Sequence, residues 1–61
     1  MKIEIHTNDA PYKRRCLTMY VDHAHIGSLE VTKEQEQALL GIMTLGADAS
    51  QGYVTVVIHD T

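Results

Sequence analysis

The chain has 61 residues, which is enough for a single domain, residues 1–61, with a small core. Its formal net charge of −3 disfavours a surface that must neutralise phosphates, and its single cysteine excludes an internal disulfide. Because the chain has no Phe and no Trp, its core is thin, and we expect a homodimer or another bound partner to stabilise it.

Alternating apolar and polar residues predict three strands in the first half of the chain. The predicted strands cover residues 2–7, 15–21 and 26–31. Turn-forming residues from Asn8 to Pro11 break the first pattern, so we expect a loop that runs to about Lys13. Residues 22–25 predict a hairpin tip, and the second and third strands should therefore pair antiparallel.

A helix and a fourth strand follow. Thr32 and Gln35 match the capping box that starts a helix. Apolar residues then recur at helical spacing, namely Ala38, Leu39, Ile42, Met43 and Leu45. Gly46 is typical of a left-handed C-cap, so the helix should cover residues 33–45. After a short connection, alternation over residues 53–59 predicts the fourth strand.

These elements predict an α+β fold with two layers. A right-handed crossover through the helix should place the fourth strand parallel to the third and beside the first. We therefore expect a four-stranded mixed sheet of order 3-2-1-4, with the element order β-β-β-α-β and one helix on one face. This arrangement resembles the truncated RNase H-like domain of HicB-type antitoxins, and the resemblance covers most of the chain at the level of fold.

The resemblance implies where carboxylates would lie. In the full RNase H family a catalytic Asp follows the first strand, a Glu lies on the first helix, and another Asp ends the fourth strand. The nearest matches in this chain are Asn8 or Asp9, then Glu34, Glu36 or Gln37, and finally Asp60. A degenerate RNase H-like hydrolase is therefore a remote alternative, and its two-metal chemistry would need these carboxylates around Mg²⁺.

Histidines at the predicted hairpin tip form the best metal candidate in the sequence. His23 and His25 alternate along an extended segment beside Asp22, so both imidazoles could lie on one side. Two ligands are too few for a structural zinc, and no spacing brings His6 or Cys16 near them. We therefore predict no metal and no cofactor, and we expect Cys16 to be an ordinary unreactive thiol.

Two surfaces are candidates for binding macromolecules. Tyr12, Lys13, Arg14 and Arg15 join an aromatic ring to a basic run, which could bind nucleic acid. The sheet face opposite the helix should be apolar and β-branched, because Cys16 and five other residues alternate onto it. The residues predicted to make protein contacts are Thr18, Tyr20, Tyr53, Thr55 and Val57, with Leu40 on the polar side of the helix.

The sequence therefore favours a small non-enzymatic protein that acts by binding another protein, most simply as a homodimer. An acidic chain with a thin core and no ligand cradle is the kind of product that phages and mobile elements use as inhibitors, or that toxin systems use as antitoxins. A nucleic-acid-binding module or antitoxin-like protein that uses the basic loop 12–15 is the alternative, and salt sensitivity would distinguish a phosphate contact from a protein contact. No apolar run approaches the roughly 20 residues that span a bilayer, so we expect a cytoplasmic protein without a membrane partner.

Overall fold

The computed structural model describes residues 1–60, which form a four-stranded sheet and a helix. The elements are β1 (Lys2–Ala10), β2 (Arg14–Val21), β3 (Ala24–Val31), α1 (Lys33–Ala49) and β4 (Thr55–Asp60). The strand order is β3-β2-β1-β4, with β1 antiparallel to β2 and parallel to β4. This confirms the predicted α+β architecture and strand order. Within residues 1–60, no helix combines the length and apolar character that crossing a membrane requires.

Strand β1 is longer than predicted. The loop expected from Asn8 onward is wrong, because residues 8–10 continue β1 and pair with Cys16, Arg15 and Arg14 of β2. Asp9 lies directly opposite Arg15, and the ion pair between them stabilises the strand conformation at Asn8 and Asp9 over the turn that these residue types favour. The connection shrinks to residues 11–13, where Tyr12 and Lys13 have φ values of 62° and 59°.

The β2–β3 hairpin is also tighter than predicted. Instead of a four-residue tip, the turn consists of Asp22 and His23, whose φ values of 48° and 70° match a type I′ turn. The Asp22 N–H donates to the Lys2 carbonyl at 2.8 Å, and Asp22 Oδ1 accepts from the Lys2 N–H at 2.8 Å. This reciprocal pair holds the start of β1 against the hairpin.

The predicted start of the helix is confirmed, but its predicted end is wrong. The Gln35 N–H donates to Thr32 Oγ1 at 3.2 Å, and the Thr32 N–H donates to Gln35 Oε1 at 2.9 Å. Gly46 does not terminate α1, which continues to Ala49. Ser50 caps it instead, because its hydroxyl donates to the Ala47 carbonyl at 2.6 Å and its Oγ accepts from the Val54 N–H at 3.0 Å.

The helix packs on one face of the sheet, the helix-side face, and leaves the other, the open face, uncovered. The buried apolar side chains of residues 1–60 are Ile5, Leu17 and Val31. Leu40 was expected off the core side, but it packs against this cluster. Ile42 and Leu45 were expected inside, but they are 66% and 70% exposed. Glu36 explains this rotation of the helix. Its buried carboxylate pairs with Arg15 on the sheet, so the helix face with positions 36, 40 and 43 lies toward the sheet.

Candidate functional site

A buried arginine surrounded by carboxylates lies at one end of the helix-side face. Arg15 is 9% exposed, and its guanidinium donates four hydrogen bonds. Nε donates to Glu36 Oε2 at 2.8 Å, Nη1 to Asp9 Oδ1 at 2.6 Å, and Nη2 to both Asp60 Oδ1 at 2.7 Å and Thr7 Oγ1 at 3.1 Å. We call these five residues the arginine cluster. They hold one positive and three negative charges, so the cluster is net acidic.

Strand register brings the arginine cluster together. Asp9 lies opposite Arg15 in the antiparallel β1–β2 pair, and Thr7 lies opposite Asp60 in the parallel β1–β4 pair. Glu36 reaches the same point from the first turn of α1. Residues from four separate elements therefore meet at the Arg15 guanidinium.

Hydrogen bonding fixes the charges in this cluster. The bonds from Arg15 to Glu36, Asp60 and Asp9, in that order of effect, raise the pKa of the guanidinium further above its already high value. The Thr7 hydroxyl, which donates to Asp60 Oδ1 at 2.8 Å, lowers the pKa of that carboxyl, and Arg15 lowers it further. Arg15 is thus always a cation, and Asp60 is held as a carboxylate.

The arginine cluster contains one residue from each carboxylate position that the RNase H resemblance implies. Asp9, Glu36 and Asp60 converge, whereas Glu34 is exposed on the first turn of α1. The cation that they surround is the side chain of Arg15. Arg15 was predicted to belong to the basic run, although its alternation with Leu17 already indicated a side chain on the helix-side face.

The structure does not gather the predicted basic residues onto one surface. Arg15 belongs to the arginine cluster, and Arg14 pairs with Glu30 on β3, with Nε 3.7 Å from Oε1 and Nη2 donating to the carbonyl at 3.2 Å. Tyr12 and Lys13 occupy the exposed turn between β1 and β2. Two of the three cations in this run are therefore compensated by carboxylates.

The open face holds four of the six predicted contact residues. Thr18, Tyr20, Thr55 and Val57 share this face by register. Tyr53 precedes β4 in an exposed connection, and Leu40 lies against the core instead. The face is also more polar than expected, because β1 and β4 place ionisable side chains between these residues.

Those ionisable side chains form a second cluster, which we call the histidine cluster and which consists of Glu4, His6 and His59. His59 Nε2 lies 3.1 Å from Glu4 Oε2, and the His6 and His59 rings stack with centroids 4.5 Å apart and planes 13° apart. Tyr20 contacts the His6 ring edge-on at a centroid distance of 5.3 Å. This cluster was not predicted from the sequence, because His59 is more than fifty positions from Glu4 and His6.

The predicted histidine pair of the hairpin tip is split. His23 Nδ1 lies 3.6 Å from Glu4 Oε1, at the edge of the histidine cluster. His25 lies beside Tyr20 instead, with their ring centroids 5.4 Å apart. The tight turn explains the separation, because His23 belongs to the turn and His25 to β3.

An apolar cleft opens between α1 and the β2–β3 hairpin. Its volume is about 80 Å³, and its lining consists of Ile5, Leu17, Met19, Gly27, Leu29, Leu39 and Met43. A helix about 10–12 Å across is narrower than a four-stranded sheet of roughly 19 Å, so one helix cannot cover the whole helix-side face. Leu29 on β3 and Ile42 on α1 are both exposed at this uncovered side.

No protein-family model, curated protein or solved structure matches this chain. Evidence on function therefore comes from the arginine cluster, the histidine cluster and the apolar cleft themselves.

Proposed function

We propose that this protein is a small non-enzymatic binding protein that acts by association with another protein, and that it pairs with a second copy of itself through the apolar cleft. The observation that carries the proposal is that Leu29, which lines the cleft, and Ile42, which lies on α1 between the lining residues Leu39 and Met43, are both exposed. Exposed apolar groups that adjoin a cleft are typical of protein contacts.

The total exposed surface supports a missing partner. The chain exposes 4343 Å². A folded monomer of 6.8 kDa exposes about 4,000 Å² according to the general size relation. The excess agrees with a small core, in which Ile5, Leu17 and Val31 are the buried apolar side chains of residues 1–60. Covering the cleft would remove apolar surface from water, which is the main favourable contribution to association.

A second copy fits the cleft in shape and charge. The flank of α1 beside Ile42 carries the small residues Ala38, Gly46 and Ala49, which allow two helices to approach closely. The cleft lining is uncharged, so two acidic chains can meet there without repulsion between like charges at the contact. A two-fold axis would place the same patch of each copy against the other, as in most homodimers.

The arginine cluster supports a non-enzymatic role. Two-metal hydrolysis needs carboxylate oxygens that coordinate Mg²⁺. Asp9, Glu36 and Asp60 instead accept hydrogen bonds from Arg15, which is tethered to β2 and stays charged at every accessible pH. A metal ion would have to displace a guanidinium from three ligands at once.

Light scattering after size exclusion tests the proposal over a range of chain concentrations. We expect the wild-type chain to form a dimer. Ile42→Glu should be a folded monomer, because dimer formation would bury the new carboxylate without a hydrogen-bonding partner. Gln37→Glu is the matched control, because it adds the same charge on the opposite flank of α1 and should leave the dimer intact. A wild-type chain that stays monomeric at millimolar concentration contradicts the proposal. A dimer lost in Tyr20→Ala but kept in Ile42→Glu would move the contact to the open face.

A further inference from the structure

We propose that the histidine cluster binds one divalent transition-metal ion, with Zn²⁺ as the best fit, on the open face of the sheet. One carboxylate oxygen of Glu4 and one ring nitrogen each of His6 and His59 all lie within 4.8 Å of one another. In a tetrahedral zinc site, bonds of about 2.0–2.2 Å place the ligand atoms roughly 3.3–3.6 Å apart. Glu4 Oε2 and His59 Nε2 are already 3.1 Å apart, so binding requires mainly that the His6 ring leave its stack on His59 and turn one nitrogen toward them.

The backbone holds the three ligands in a preorganised arrangement. His6 and His59 are direct neighbours in the parallel β1–β4 pair, and Glu4 is two residues before His6 on the same face of β1. Strand β1 is paired on both sides, by β2 and by β4. The strand pairing therefore fixes the backbone positions of all three ligands, and only side-chain rotation is needed for them to converge on an ion.

The donor set selects the class of metal. Imidazole nitrogens suit Zn²⁺, Co²⁺ and Ni²⁺, whereas Mg²⁺ and Ca²⁺ prefer oxygen ligands. Two histidines and one carboxylate are also a recurrent zinc-binding set that leaves a fourth position open. The exposed His23 side chain lies nearby, with Nδ1 3.6 Å from Glu4 Oε1, and it would have to turn to occupy that position.

One neighbouring cation opposes the ion. Lys2 Nζ lies 3.9 Å from Glu4 Oε1, and the Lys2 side chain is half-exposed, so it can swing into solvent when a metal binds. Removing this competing charge should tighten the site. Lys2→Gln is therefore expected to bind Zn²⁺ more strongly than the wild-type chain does.

Metal titration of untagged, chelator-stripped protein tests the proposal. We expect one Zn²⁺ per chain by calorimetry, visible absorption bands of tetrahedral Co²⁺, and a rise in Tm on adding Zn²⁺. His59→Gln and His6→Gln should each weaken binding at least about tenfold, because loss of a ligand costs no less than loss of its supporting contacts. Both variants keep a polar side chain of similar size, and circular dichroism checks that they fold.

His25→Gln is the matched control, since this histidine lies on the open face beside Tyr20 and outside the cluster. It should bind Zn²⁺ as the wild-type chain does. The proposal is overturned if the wild-type chain takes up no Zn²⁺ or Co²⁺ at millimolar ion concentration. It is also overturned if His25→Gln weakens binding as much as His59→Gln, because the ion would then belong to the hairpin tip. The same titration of the Ile42→Glu variant shows whether metal binding depends on dimer formation.

Discussion

Two isoleucines that differ in burial allow a quantitative test of the core and of the cleft together. Ile5 is 1% exposed on β1, whereas Ile42 is 66% exposed on α1. Truncating a fully buried Ile to Ala costs about 2–5 kcal/mol of unfolding free energy. Full burial of an Ile is worth about 1.5–3 kcal/mol, so the one-third burial of Ile42 in the monomer is worth roughly 0.5–1 kcal/mol.

These magnitudes matter because the domain is small. At about 0.05–0.15 kcal/mol per residue, 61 residues have a total stability of about 3–9 kcal/mol. Ile5→Ala should therefore remove a large part of the stability and lower Tm by at least about 8 °C, whereas Ile42→Ala should lower it by only a few degrees. The difference should hold in dilute solution, where the chain is monomeric.

Urea unfolding followed by circular dichroism measures both variants at low and at high chain concentration. If Ile42 is buried between two copies, the loss caused by Ile42→Ala should grow with concentration, while the loss caused by Ile5→Ala should not. Equal losses in dilute solution would refute the burial pattern. A loss for Ile42→Ala that does not depend on concentration would refute its place in a dimer contact.

Three further predictions concern the arginine cluster and the helix cap. Arg15→Met should lower the urea midpoint strongly at pH 7, because Glu36 loses its buried partner. Arg15→Lys should recover only part of the loss, since an ammonium group does not reproduce the donor geometry of the guanidinium. Folding lowers the pKa of Asp60, so its contribution to the free energy of unfolding is fully present above about pH 3.9, the unfolded-state pKa, and is lost as the pH falls through the lower folded-state pKa. Thr7→Val should raise the folded-state pKa of Asp60 in a carboxyl NMR titration. Thr32→Ala should cost about 1 kcal/mol in urea unfolding, since it removes the hydroxyl that caps α1.

Local patterns predicted the sheet well because each strand is specified by its own alternation. The strand order followed from the handedness of a single crossover, and the helix start followed from the Thr32–Gln35 pair. Long-range contacts were harder to predict. The end of β1 was misplaced because the ion pair between Asp9 and Arg15 is formed only after the strands pair.

The same limitation explains the missed sites. The rotation of α1 about its axis depends on the ion pair between Glu36 and Arg15, and helical periodicity alone does not predict this pair. The histidine cluster depends on the β1–β4 register, which brings positions 6 and 59 side by side. A prediction that combined the strand order with side-chain alternation would have placed His6 and His59 on adjacent strands, facing away from the helix.

The guanidinium at the centre of the arginine cluster has a consequence for how the protein depends on its surroundings. A diffusible ion that joined three carboxylates would be lost to chelators and would vary with the ion content of the cell. Arg15 supplies a positive charge as part of the polypeptide, so the three carboxylates are held together as soon as the chain folds. Chelators should not affect these contacts, whereas acid that protonates Asp60 should weaken them.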